Sequence, residues 1–194
     1  AVNVFKAGAK TLQYSVVDSV SNQTFSITRS VVIGDTLLSR WRLDNGAIDD
    51  AKANAGTIVG AEEAKGRFST ALQFDGVDDY VDLGDVAAMD QPSTFIISLW
   101  FKRTVNNGGG NKDTNHGVNN ILIGQASRAS NDNLEIGTDG TQIEVYIDSY
   151  TGLDTTKRVE AGIQNNIWYN LVVSYDIGTV KVYLDGVKKA TWTG

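Results

Sequence analysis

The chain has 194 residues with 41% hydrophobic content, enough to bury one sizeable core and too apolar for a disordered segment. Seventeen basic residues against 23 acidic ones leave a net charge of −6, which on average repels phosphate backbones and anionic membrane surfaces, so no nucleic acid partner is expected. The absence of cysteine excludes disulfides, thiolate metal sites and cysteine nucleophiles, and no apolar run reaches the ~20 residues of a membrane helix, so no membrane insertion is expected.

Twenty glycines, one proline and many Asn, Asp, Thr and Ser describe numerous strands joined by tight turns. The opening AVNVFKAGAK lacks a signal-peptide layout, and the sequence reads as a piece of something longer. Residues 11–17 (TLQYSVV) and 24–33 (TFSITRSVVI) alternate apolar and polar residues around a polar turn at 18–22, which predicts two strands. Such a pair is marginal alone, so it is expected to pack on the following domain, to pair with a neighbouring chain, or to be the remnant of a larger repeat. Residues 39–44 (SRWRLD) open a further strand, and a polar loop over 47–60 ends in a short strand near Thr57–Val59. Gly56 and Gly60 break the Ala- and Glu-containing stretch 50–64, leaving room for a turn of helix at most.

Residues 71–84 (ALQFDGVDDYVDLG) read as a β-hairpin, with Leu72, Phe74, Val81 and Leu83 in period two and Asp75-Gly76 as the turn. Residues 93–102 (STFIISLWFK) are apolar on both faces, which predicts a central strand. Residues 104–120 are Gly- and Asn-rich without periodicity and predict a surface loop. Strands are expected at 120–125, 133–137 and 142–148, then a hairpin from Trp168–Tyr175 to Thr179–Leu184, with a further turn at Asp185-Gly186.

Taken in order, WRLD, FDGVDDYV, FIISLWFKR and NIWYNLVVSYD…VKVYLDG resemble the laminin-G-like branch of the concanavalin A-like lectin/glucanase superfamily, over roughly residues 37–194. The resemblance implies an all-β fold, a jelly-roll β-sandwich of two antiparallel sheets, in a bacterial secreted or surface protein. The stretch YSVVDSVSNQTFSITRSVVIGD resembles the closing strands of a bacterial immunoglobulin-like repeat, which sets the expected domains at 1–35, the end of such a repeat or a linker, and 36–194. The family pattern continues past YLDG with further strands. The sandwich is therefore expected to be incomplete at its C-terminal side, its vacant edge filled by another chain or by the amino-terminal strands.

Laminarinase-like relatives of this fold cleave glycosides with two glutamates on one strand, as Glu-x-Asp-x-x-Glu. Glu135 and Glu144 are the nearest candidates and neither sits in that arrangement, so no enzyme is expected and both read as solvent-facing acids. The single histidine, His116, lacks a second histidine or a serine elbow and reads as a loop residue. Calcium is the expected cofactor, because it takes six to eight oxygens of the kind that acidic turns supply. One candidate set is Asp75, Asp78 and Asp79 with Asp44; the other is the 113–120 loop, with Asp113, Asn119 and Asn120, which resembles the calcium-binding Asp-Asn pair of pentraxins. Capped turns and a plain loop are the competing readings.

A glycan would stack on exposed aromatics with amide and guanidinium groups fixing its hydroxyls. Tyr146, Tyr150 and Trp192 with Arg128 and Asn131 are the candidates, whereas Trp41, Trp100 and Trp168 have the alternation of core residues. The function expected is a non-catalytic extracellular binding module recognising carbohydrate or another cell-surface ligand, linked to neighbouring domains of a larger protein. A spacer domain of an adhesin and an accessory part of a polysaccharide-degrading enzyme are the alternatives.

Overall fold

Alternation of apolar and polar residues decides where the main layer forms. The computed structural model describes residues 2–6, 10–17, 24–31, 36–51, 54–86, 89, 93–105, 117–125, 134–148 and 153–194, with side chains from 37 onward except 153–154. The strands begin with β1 (Val2–Lys6), β2 (Lys10–Val17), β3 (Thr24–Val31), β4 (Thr36–Trp41), β5 (Thr57–Val59), β6 (Glu62–Lys65), β7 (Thr70–Gln73) and β8 (Tyr80–Asp82). They continue with β9 (Thr94–Lys102), β10 (Ile121–Gln125), β11 (Leu134–Asp139), β12 (Gln142–Ile147), β13 (Leu153–Glu160), β14 (Trp168–Asp176), β15 (Thr179–Leu184) and β16 (Val187–Thr193). No α-helix occurs among the described residues.

Six strands form one antiparallel sheet in the order β16-β15-β14-β9-β1-β4, and four form a second, β10-β11-β12-β13. In β9 and β14 every second side chain is buried: Phe95, Ile97, Leu99 and Phe101 in one, Tyr169, Leu171, Val173 and Tyr175 in the other. Those residues meet Leu134, Ile136, Ile143, Val145 and Ile147 of the smaller sheet in a single core, with Trp41 of β4 2% exposed. Two packed antiparallel layers around one core make a β-sandwich, as expected. The turns are the ones their residues favour: Ile177-Gly178 and Asp185-Gly186 both hold two consecutive positive φ values, so β14-β15-β16 follow one another as tight hairpins.

Two features depart from the pattern read off the sequence. The first is β1, which hydrogen-bonds with β9 on one side and β4 on the other, so an amino-terminal strand occupies an interior position of the larger sheet rather than an edge. The expected pair β2-β3 is present as its own two-stranded ribbon.

The second concerns residues 71–84, which do not form a hairpin with one another. β7 pairs with β6 from Glu62↔Gln73 to Lys65↔Thr70, and β8 pairs with β5 from Thr57↔Asp82 to Val59↔Tyr80. The two pairings are successive rungs of one long interrupted ribbon. Gly60-Ala61 joins its strands on one side, while the six residues Phe74–Asp79 bulge out on the other. Alternation identified β7 and β8 correctly, but Asp75-Gly76 makes a bulge instead of a hairpin reversal.

Candidate functional site

The bulge gathers the acidic residues. Asp75, Asp78 and Asp79 each bring a carboxylate oxygen within 4.8 Å of the others. Local backbone bonds hold two of them in place: the Asp75 N–H donates to Asp79 Oδ2 (2.8 Å) and the Val77 N–H donates to Asp75 Oδ1 (2.8 Å). These bonds turn the loop, and in it the three carboxylates converge. Hard oxygen donors on an exposed loop suit a divalent cation such as calcium, and they serve equally as turn caps. Asp44 is not among the three. Its carbonyl accepts from Thr70 Oγ1 (2.8 Å), and it lines a shallow depression with Arg42, Leu43 and Asp50.

The second set is organised around a glutamate. Glu144 of β12 is fully buried, and its Oε2 accepts both the Asn119 N–H (2.6 Å) and Asn119 Nδ2 (2.9 Å). Its Oε1 pairs with Arg158 Nε of β13 at 2.5 Å, and Arg158 Nη2 donates to the Gly117 carbonyl (3.1 Å). Asn120 Nδ2 donates to the Thr138 carbonyl (2.8 Å). Asn119 and Asn120 therefore fasten the 117–120 segment to β11 and β12. Glu144 is no solvent-facing acid, and neither is Glu135, which is buried on the same sheet; this corrects the expectation for both. The alternation that put Glu144 on the non-core face holds, but that face of β11 and β12 is itself covered.

Of the expected aromatic patch, Tyr146 is 8% exposed, and Trp192, partly buried, lies opposite Val180 on the inner face of the larger sheet, packed against the core. Asp113, Arg128, Asn131, Tyr150 and His116 lie outside the described residues.

Aromatic surface appears elsewhere, on the outer face of the six-stranded sheet. Trp100 and Trp168 alternate with the buried residues of β9 and β14 and so point outward, half-buried, which corrects their reading as core. Of the three strand tryptophans only Trp41 is interior. Phe68, 79% exposed, meets Trp100 edge to face with ring centroids 5.4 Å apart. The Arg67 guanidinium sits 5.2 Å from the Phe68 centroid and 5.7 Å from that of Trp100, and Lys102 Nζ sits 5.4 Å from that of Trp168. Asn170, the pairing partner of Trp100, donates from Nδ2 to the Leu99 carbonyl (3.3 Å). Arg67, Phe68 and Lys102 escaped the sequence reading. The available signal was the phase of β9: once Phe95, Ile97, Leu99 and Phe101 are inside, Trp100 and Lys102 must be outside.

At the β4 end, Asp50 bonds Arg40 and Arg42, the latter at 2.6 Å. The hydrogen bond from Arg40 and the two positive charges hold the Asp50 carboxyl below its ordinary value despite partial desolvation, and the same contact raises Arg40. Burial holds Arg103 below the usual guanidinium range against the opposing pull of Asp139.

A family model described as the concanavalin A-like lectin/glucanases superfamily matches residues 75–194. No curated protein matches the sequence. Among solved structures, domain 4 of AbnA, a GH43 extracellular arabinanase from Geobacillus stearothermophilus determined in complex with arabinotriose, is similar with a TM-score of 0.61 and 21% identity, over 82% of this chain and 76% of that one. At that identity the likeness is one of fold.

Proposed function

The chain belongs to the concanavalin A-like lectin/glucanase superfamily, and from that premise we propose that it is a non-catalytic glycan-binding module of a larger extracellular protein. One observation carries the reading: two tryptophans on neighbouring strands, Trp100 and Trp168, face outward, with the exposed Phe68 against Trp100. A sugar ring offers C–H faces that stack on such rings, and the amide of Asn170 and the hydroxyl of Ser98 lie within the same surface to meet its hydroxyl groups. The complex of the arabinanase domain with arabinotriose supports glycan as the class of ligand for this fold.

The non-catalytic part of the reading rests on Glu144. Both of its oxygens are engaged by Asn119 and Arg158, which suits a structural anchor rather than a proton donor or nucleophile. Calcium at Asp75, Asp78 and Asp79 would brace the bulge beside the backbone hydrogen bonds that Asp75 and Asp79 accept.

Isothermal titration against arabinan, xylan and pectic polysaccharides, with calcium and with chelator, tests the reading. Trp100→Ala and Trp168→Ala are each expected to weaken binding by about threefold to tenfold, the value of one stacking contact. If the wild-type chain ignores every glycan, the recognition reading falls and the spacer reading takes its place.

A further inference from the structure

We infer that the outer face of the six-stranded sheet takes an anionic polysaccharide bearing uronate-type carboxylates rather than a neutral one. This rests on the reading of the chain as a glycan-binding module and names the ligand class of that same surface.

The carrying observation is a local inversion of charge. The chain as a whole is acidic, at −6, yet the cations Arg67, Lys102, Lys181 and Lys188 gather on this one face. Lys102 pairs with Trp168 in the ladder; Lys181 lies across from Ser174, and Lys188 across from Tyr183. From the Lys102 row to the Ile96–Ser174–Lys181 row is six residues, roughly 20 Å along the strands, enough for several sugar rings. Among the described outward residues of β9, β14, β15 and β16 the only acid is Asp176, at the far end of β14; beyond β15, the turn residue Asp185 already accepts the Asn170 N–H (2.8 Å). The nearby Arg40 and Arg42 share Asp50, and Asp49 also acts on Arg40, so two carboxylates offset these two cations and the group adds little to the field.

The position of the cations matters as much as their number. Arg67 lies against Phe68 and Trp100, and Lys102 lies against Trp168, so each outward tryptophan has a cation at its ring. A neutral sugar stacking there displaces that cation from the ring and offers it only an uncharged hydroxyl acceptor in return. A uronate stacking on the same ring brings a carboxylate to the cation, which then exchanges one favourable contact for a charge-assisted hydrogen bond. Stacking and charge thus favour the same ligand on the same two rows.

The test uses the full chain in affinity electrophoresis and titration calorimetry against four probes: polygalacturonate, its fully methyl-esterified form, linear arabinan and a single-stranded oligonucleotide. Polygalacturonate is expected to bind best, to weaken as salt rises, and to lose at least about tenfold on Lys102→Met with Arg67→Met. The esterified form keeps the rings and removes the charge, so on the wild-type protein it answers the question without any variant. Equal binding of the two forms overturns the inference. Binding of arabinan alone, weakened by Trp100→Ala, also overturns it while leaving the glycan-binding reading intact, and binding of no polysaccharide overturns both. Equal retention of the oligonucleotide overturns it as well, because the face would then respond to charge without regard to sugar.

Discussion

Glu144 concentrates more of the structure than any other single polar residue. A fully buried carboxylate has lost its hydration, and here two donors from Asn119 and one from Arg158 replace the water. Removing the carboxylate leaves the Asn119 amide buried without an acceptor and Arg158 without its counter-ion, so Glu144→Ala is expected to cost about 3–5 kcal/mol in urea unfolding. Glu144→Gln keeps an acceptor oxygen for Asn119 but turns an NH2 group, which cannot accept, towards Arg158 Nε and removes its counter-charge; because Arg158 is half exposed and can turn to water, a smaller loss than for Glu144→Ala is expected. A Gln variant as damaging as the Ala variant would mean that the ion pair to Arg158, not the tether to Asn119, does the stabilising. The residue had a readable signal of the wrong kind. Its alternation with Ile143 and Val145 correctly assigned it to the non-core face, but the sequence carries no mark that this face is covered, and exposure was inferred from alternation alone.

Among elements, the interrupted ribbon β5-β6/β7-β8 ties the acidic loop to the sheet that carries it. The bulge folds back on Gly60, where a Cβ would lie 1.8 Å from Asp79 Oδ1, and Gly60 itself has φ +78°. Only glycine meets both conditions without strain. Gly60→Ala is therefore expected to destabilise the fold by about 1–2 kcal/mol and to push Asp79 out of the carboxylate trio. Calcium-dependent thermal stabilisation of the wild type, absent from both Gly60→Ala and Asp78→Asn, would tie the ion to this bulge; a shift retained in both variants would place it elsewhere. Elements of this kind divide what a sequence reveals from what it withholds. Strands with strong period-two patterns and DG or IG turns, such as β9, β14 and β15, were readable because side-chain direction and turn chemistry are local properties. Partners are not local. Alternation marks β7 and β8 as strands and points them at each other, since nothing in ALQFDGVDDYVDLG records that Glu62–Lys65 and Thr57–Val59 are their partners. β13 (LDTTKRVE) and β16 (VKKATWT) escaped notice because edge positions tolerate the charged residues that blur alternation.

For the molecule as a whole, the decisive placement is that of β1, five residues at the beginning of the sequence that lie between β9 and β4. Without them β4 has no partner in the sheet, and β4 brings Leu38 and the interior Trp41 into the core. Within residues 1–35, β1 is the strand hydrogen-bonded into the six-stranded sheet, while β2 and β3 pair with each other in a separate ribbon. This gives the boundary expected near residue 35 a direct test. Lys6 and Thr36 face each other in the β1-β4 ladder, so an Asn-Gly turn can join them in place of residues 7–35. The chain shortened in this way is expected to melt cooperatively within a few degrees of the full one, whereas the chain beginning at residue 36 is expected to lose at least about 4 kcal/mol, since each of the ladder hydrogen bonds made by β1 contributes on the order of 1 kcal/mol. The opposite ranking, with the chain from 36 onward as stable as the whole, would mean that β4 can close directly against β9 and that residues 1–35 form a unit separate from the sandwich. An intermediate loss in the Asn-Gly chain, with β1 retained, would assign the β2-β3 ribbon a packing role on the sandwich as well.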